Sequence, residues 1–252
     1  MRIQFDHIAI GVAKVADTVP FIVGALGGQD QGGGPGPGYW GGQWSFAHGE
    51  RLEILEPDQS AGSFMRRFVD GPGPGIHHVT FKVESLGPVC DRAEARGYQI
   101  VGRNVAYPGW QEAFLHPKQA LGIVVQFAHT DPAHDQEEGW GANWGAPAGP
   151  ADPPAPVQVV GLRLRAHSAE RARVQWGEIC GGSEDEELVF GWRDSPMRIE
   201  VEIDERTAEG PLCIELASER ALGLSAEVEP TLGARFRQLG VQAPGLRPPV
   251  PR

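Results

Sequence analysis

A chain of 252 residues with 40% apolar side chains is long enough for one large domain or two small ones, each with a core of its own. The formal charge is −11 and no basic run is longer than a pair, which excludes a nucleic-acid binder, because gripping phosphates needs clustered Lys and Arg. No apolar run approaches the length of a membrane span, so no membrane partner is expected either.

The first stretch, Phe5-Asp6-His7-Ile8-Ala9-Ile10-Gly11-Val12, predicts a strand over residues 3–12. Side chains alternate between the two faces of a strand, so His7 and Ile8 leave by opposite faces. Apolar residues at Val15, Val19, Ile22, Val23 and Leu26 have helical spacing, although Pro20 should kink or shorten that helix and Gly27-Gly28 should end it. The stretch from Gly32 to Gly42 is so rich in Gly and Pro that a loop is expected, flanked by Tyr39, Trp40 and Trp44. Trp44–Ala47 and Arg51–Leu55 read as strands, Ser60–Val69 as a short helix, and residues 71–75 as a second loop.

The order then begins again. Ile76-His77-His78-Val79-Thr80-Phe81-Lys82-Val83 is a second strand with a histidine near its start. A helix over about 86–96, closed by Gly97, and strands near 98–101, 112–115 and 122–127 follow. His7 and His78 are 78 − 7 = 71 residues apart, and Glu53 and Gln126 are 126 − 53 = 73 apart. Two anchors at nearly one period predict a duplicated strand–helix–strand–strand–strand unit. Trp44 through Gly49 aligns with Glu112 through Pro117 in that repeat. Two such strands side by side would aim two imidazoles into one space, and that space is a candidate metal site.

Residues 131–156 are full of Pro, Gly, Ala and acids and predict a linker. Beyond it, residues 157–252 run through a strand (157–166), a helix (168–179), an acidic turn (184–187), strands (188–192, 197–203, 211–217) and a helix (230–239). The order is that of the first half with shorter parts. Gly161 stands where His7 would be, Cys213 where His78 would be, and Glu200 near the Glu53 position. Metal chemistry is therefore expected in the first half alone. Cys90, Cys180 and Cys213 are too few and too scattered for a disulfide framework or a CxxC zinc site. With a strand starting almost at residue 1, no signal peptide is expected, and a reduced, cytoplasmic protein is the default.

Four blocks in order resemble the vicinal oxygen chelate superfamily, the glyoxalase, bleomycin-resistance and extradiol-dioxygenase group. They are Phe5 to Val12, Glu53-Ile54-Leu55-Glu56-Pro57, Gly75 to Val83, and Phe114-Leu115-His116-Pro117-Lys118. Within the group the wording is most similar to methylmalonyl-CoA epimerases. The resemblance implies an α+β fold in which tandem βαβββ modules form a half-open barrel around one divalent ion. It implies His7, Glu53, His78 and Gln126 as ligands in a domain over residues 1–130, with residues 157–252 as a degenerate second domain without ligands. His77, the neighbour on the wrong strand face, is passed over.

Imidazole and carboxylate suit Mn, Fe, Co, Ni or Zn, and open positions on such an ion take substrate oxygens. The expected partner is thus a small molecule. The expected activity is that of an isomerase, epimerase or lyase stabilising an enolate or oxyanion of an oxo or acyl substrate, an acyl-CoA included. An extradiol-type dioxygenase and a resistance-type binding protein are the alternatives. The family's epimerases carry a proton-moving glutamate at the last ligand position, whereas Gln126 is an amide and cannot be a base. Glu53 is the acid among the ligands, and Glu112 and His116, on one strand face, are the remaining candidates for acid or base. The second domain is expected to cover sheet surface as a partner subunit would, giving a pseudo-dimeric monomer or a homodimer.

Overall fold

The computed structural model of the chain describes residues 2–131, 141 and 144–241. Its first half is one sheet of eight strands: β1 (Ile3–Gly11), β2 (Gln29–Gly36), β3 (Tyr39–Ser45), β4 (Arg51–Pro57), β5 (Gly75–Val83), β6 (Ile100–Tyr107), β7 (Trp110–Leu115) and β8 (Val124–His129). The spatial order is β2-β3-β4-β1-β5-β8-β7-β6. β1 runs parallel to β4 and β5 parallel to β8, while β1 and β5 meet antiparallel at the centre. That is one βαβββ unit repeated and joined to its copy through the two first strands, each of which carries a histidine.

Three expectations are corrected. The glycine-rich stretch 32–42 is not a loop, because β2 and β3 pair across most of it. Glycine is needed there for close approach: a Cβ on Gly42 would run into the Trp144 ring, which also meets Trp40 at 4.8 Å between centroids. Trp44, on the same strand, is buried in the core. The helix expected over 15–26 is a 3₁₀ turn (Val15–Thr18) and a wide π-type turn (Pro20–Ala25), with Pro20 in the first turn where its missing N–H costs nothing. Residues 230–239 are not a helix. Leu232, Ala234 and Phe236 are all buried at a spacing of two, the strand period, and β14 (Phe236–Val241) pairs with the strand before it.

Helices α1 (Phe64–Asp70) and α2 (Leu86–Ala95) belong to the first half. Ser63 caps α1, its Oγ accepting the Arg66 N–H at 3.0 Å. The second half contains α3 (Ala169–Ala172), continued by a π-type segment (Arg173–Ile179), and β9 (Gln158–Ala166), β10 (Ser183–Glu186), β11 (Val189–Gly191), β12 (Arg198–Ile203), β13 (Gly210–Ser218) and β14. The acidic run 184–187 thus lies largely on an edge strand, with Glu184 paired to Arg173 at 2.9 Å. The sheet order β10-β11-β12-β9-β13-β14 repeats β2-β3-β4-β1-β5-β8 and stops short of counterparts to β7 and β6. The expected linker is described only in part, since residues 132–140 and 142–143 lie outside the described set, as do 242–252.

The two halves share one core. Phe5 and Phe81 stack at 5.1 Å on one face of the first sheet, and Trp192 closes on them at 5.4 and 4.9 Å. Trp176 reaches Phe81 from the same side at 6.2 Å, and the Ser195 hydroxyl donates to the Phe5 carbonyl at 2.7 Å. With its Phe5 face sealed, the sheet leaves the His7 face for chemistry. No helix among the described residues is long and apolar enough to cross a membrane.

Candidate metal centre

The site begins with two irregularities in the central strand pair. Phe5 pairs with Phe81 and His7 with Thr80, so Asp6 is one residue too many on β1. Ala9 pairs with His78 and Ile10 with Ile76, so His77 is one too many on β5. Such bulges break the alternation that would send neighbouring side chains to opposite faces. Asp6 therefore reaches His7, with Oδ2 2.8 Å from Nδ1, and His77 reaches His78, with the two Nδ1 atoms 2.8 Å apart. The expectation that His77 sits on the wrong face is corrected by the bulge, which a residue pattern does not reveal.

The other nitrogen of each ligand histidine points at β4. His7 Nε2 is 3.4 Å and His78 Nε2 3.6 Å from the same atom, Glu53 Oε2. All three side chains are buried, at 1%, 6% and 6% exposure. Ligand atoms of His7, Glu53 and His78 lie within 4.8 Å of one another. Ligands about 2.1 Å from a shared ion stand roughly 3–4 Å apart, so the spacing fits a single cation. The decisive detail is that both Nε2 atoms are buried without a hydrogen-bond partner. Buried imidazole nitrogens are ordinarily satisfied, and two that face one carboxylate without a hydrogen bond are arranged as a cation site would need them. Neutral imidazoles and a carboxylate fit Mn, Fe, Co, Ni or Zn.

Gln126, 7% exposed, borders the triad from β8. Its Oε1 accepts the Thr80 hydroxyl at 2.6 Å, and its Nε2 donates to Glu112 Oε2 at 2.8 Å. That carboxylate fixes which way the amide faces, because a flipped amide would set oxygen against oxygen. Gln126 Oε1 retains a second lone pair for an ion. Trp110 Nε1 also donates to Glu112 Oε2, at 3.0 Å, leaving Glu112 held at one end and half-exposed on the site face. Gln43, from β3, donates to Glu53 Oε1 at 3.3 Å. His116 is not brought to the site. β7 ends at Leu115, and His116 is exposed in the following turn, its Nδ1 accepting the Lys118 N–H at 3.2 Å. Two-residue alternation would have kept it on the Glu112 face only if the strand had continued.

The ionisation pattern is uneven. Burial alone would lower the His7 pKa, but Glu53 and the Asp6 hydrogen bond reverse this and hold it at about 9. Burial would raise Asp6, yet His7, with Lys82 and Arg51 beyond, keeps it at about 2. His78 is pushed well below its ordinary range by burial and by the two neighbouring imidazoles, and burial brings His77 to about 4. Without an ion, His7 is thus the proton carrier that balances Glu53, and His78 stays neutral.

Register identifies the counterparts elsewhere. Gln43 faces Glu53 as Phe114 faces Gln126, so Gly41, not Trp44, is the first module's equivalent of Glu112, which corrects the repeat alignment by three residues. The wall opposite Glu112 thus carries no side chain at that position. In the second sheet Arg163 pairs with both Glu200 and Cys213, as Ala9 pairs with Glu53 and His78. Gly161 and Arg237, both opposite Glu215, then fall at the positions of His7 and Gln126. No second group of three metal-binding side chains occurs among the described residues.

The family model of the glyoxalase/bleomycin resistance protein/dioxygenase superfamily matches residues 6–114, and that part of the chain resembles the superfamily. Among curated proteins it is 31% identical to an ethylmalonyl-CoA/methylmalonyl-CoA epimerase of Cereibacter sphaeroides over 80 residues, 30% of this chain. That match spans 59% of the epimerase's length. It is 24% identical over 152 residues to the uncharacterized protein YqjC of Bacillus subtilis, covering 53% of this chain and 95% of that one. Of solved structures, a hypothetical protein from Bacillus halodurans is 30% identical, covering 55% of this chain and 99% of that one with a TM-score of 0.48. Methylmalonyl-CoA epimerase from Mycobacterium tuberculosis is 21% identical, covering 53% and 91%, with a TM-score of 0.48.

Proposed function

We propose that the chain is a metal-dependent enzyme of isomerase or lyase type, moving a proton next to the carbonyl of a small oxo or acyl substrate. The observation that carries this reading is the pair of partnerless Nε2 atoms of His7 and His78 facing Glu53 Oε2. His7, Glu53 and His78, with Gln126 beside them, would hold one divalent ion, and an ion so held draws electron density from bound substrate oxygens. The match of residues 6–114 to the superfamily model, and the likeness of an 80-residue stretch to an epimerase, support the reaction class.

The chain's own groups decide how the proton moves. Glu112 Oε2 is held by the Gln126 and Trp110 N–H groups, and its carboxylate faces the same space as the ligands. As a base it takes the proton from carbon, the bonding pair passes to the carbonyl oxygen, and the same carboxylate returns the proton. Because Gly41 stands at the mirrored position, this is a one-base arrangement, suited to isomerisation or elimination rather than to relay between two faces. Residues 157–252 form the second domain of this reading, covering the first sheet and holding no ion.

The test pairs elemental analysis with isotope exchange. The protein should contain about one divalent ion per chain, lost in His7→Ala and His78→Ala, and should exchange an α-proton of acyl or oxo compounds with deuterated water without consuming oxygen. Metal content equal in all three proteins would overturn the site. The two-histidine, one-carboxylate set also favours a second reading, an iron-dependent ring-cleaving dioxygenase. Iron content with oxygen uptake on catechols would select it.

A further inference from the structure

The two bulges occupy equivalent places in the repeat: Asp6 precedes His7 as His77 precedes His78, 77 − 6 = 71 residues apart. In both modules the extra residue puts a polar atom against the Nδ1 of the histidine that follows, a carboxylate oxygen of Asp6 in one and the Nδ1 of His77 in the other. We propose that Asp6 and His77 are positioning residues that fix the Nδ1–H tautomer of His7 and His78, so that both Nε2 lone pairs face the ion site. This rests on the metal reading above.

Geometry supports it from three sides. An imidazole has one proton to place when neutral, and whichever nitrogen is hydrogen-bonded to an acceptor keeps it. Both Nδ1 atoms have a hydrogen-bonding neighbour at 2.8 Å, and neither Nε2 atom makes a hydrogen bond. Each partner is itself anchored. Asp6 Oδ1 lies 3.5 Å from Arg51 Nη1 and 3.8 Å from Lys82 Nζ, while the His77 ring stands edge-on to Phe68 at 4.7 Å and against Phe64 at 5.7 Å. The partners differ in kind. Asp6 is an anion, which makes His7 the more basic donor, whereas His77 is a neutral ring, which orients His78 without adding charge.

The experiment measures Co2+ affinity by titration calorimetry and histidine tautomers by nitrogen NMR. Removing an outer partner of a metal-bound histidine typically costs 10–100-fold in affinity. Asp6→Ala and His77→Leu should each lose Co2+ affinity in that range. His77→Gln, whose amide oxygen still accepts, should recover most of the loss. In the Zn2+-loaded protein, Asp6→Ala should remove the slowly exchanging Nδ1–H signal of His7 alone, and His77→Leu that of His78 alone. Unchanged affinity in both variants, or equal losses in His77→Gln and His77→Leu, would overturn the proposal. Should wild type bind no Co2+, the metal reading fails by itself. The tautomer of His78 in the metal-free protein at neutral pH then decides the positioning claim, with Nε2–H refuting it.

Discussion

Asp6, His7 and Glu53 form a charge triplet whose balance depends on pH. With its folded pKa raised to about 9 from 6.5, His7 contributes stability that is fully present below pH 6.5 and is lost as pH rises through 9. Asp6, lowered from 3.8 to about 2, contributes stability above pH 3.8 that is lost as pH falls through 2. Metal-free protein should therefore melt at a falling temperature as pH is raised from 6.5 to 9, measured by circular dichroism after chelation. His7→Gln should flatten that slope, and added Co2+ should mask it by taking the neutral imidazole. A second expectation concerns Glu112. Glu112→Gln should lower α-proton exchange about 10²–10⁴-fold, the usual share of a general base, while metal content stays at the wild-type value. Exchange unaffected by the substitution would assign the base elsewhere. His7, Glu53 and His78, which the structure brings together, were legible in the sequence because the histidines and the Glu53/Gln126 pair recur at nearly one period. Asp6 and His77 were not, since a bulge is a property of paired strands and leaves no mark in one strand's alternation.

Among elements, β2 and β3 show where composition misleads. Gly and Pro signalled a loop, but a ladder needs only backbone groups, and the glycines let Trp144 lie against the strands. Gly42→Ala should destabilise the protein, by about 1–3 kcal/mol, the ordinary cost of overpacking, read as a shift in urea midpoint at constant slope. A neutral result would mean that Trp144 moves aside at no cost. The region expected to be a helix at 230–239 failed for a related reason. Helical and strand periods both fit a short apolar run, and only the partner, β13, decides between them. α1 was legible from Phe64, Phe68 and Val69, although it begins at Phe64 rather than at the expected Ser60.

At the scale of the molecule, the second half seals the first. Trp192 is buried in contact with Phe5 and Phe81, and its Nε1 donates to the Cys180 carbonyl at 2.8 Å. Trp192→Ala should cost about 3–5 kcal/mol and destabilise both halves in one transition. Two separate melting steps in wild type would contradict a shared core. On the proposed reading the same architecture should give one ion per chain, and Cys213→His should not add a second by elemental analysis. Gly161, at the place of His7, has φ +149 and a backbone neighbour, the Arg198 carbonyl, where a Cβ would stand, so no side chain can enter there. The duplication and its degenerate copy were readable from spacing. The covering of the first sheet by the second half was expected too, but not the aromatic residues that make it, because they look like any other core positions.

The missing counterparts of β7 and β6 bear on ancestry. β7 is the strand that presents Glu112 and Trp110, so a copy that ends at β14 has no scaffold on which to mount a proton acceptor. What fills the abandoned hollow instead is a lattice of opposite charges, Arg163 with Glu200 at 2.9 Å and Arg198 with the buried Glu215 at 3.6 Å. On the proposed reading, one copy of the repeated unit carries the reactive site and its sibling serves as a buttress.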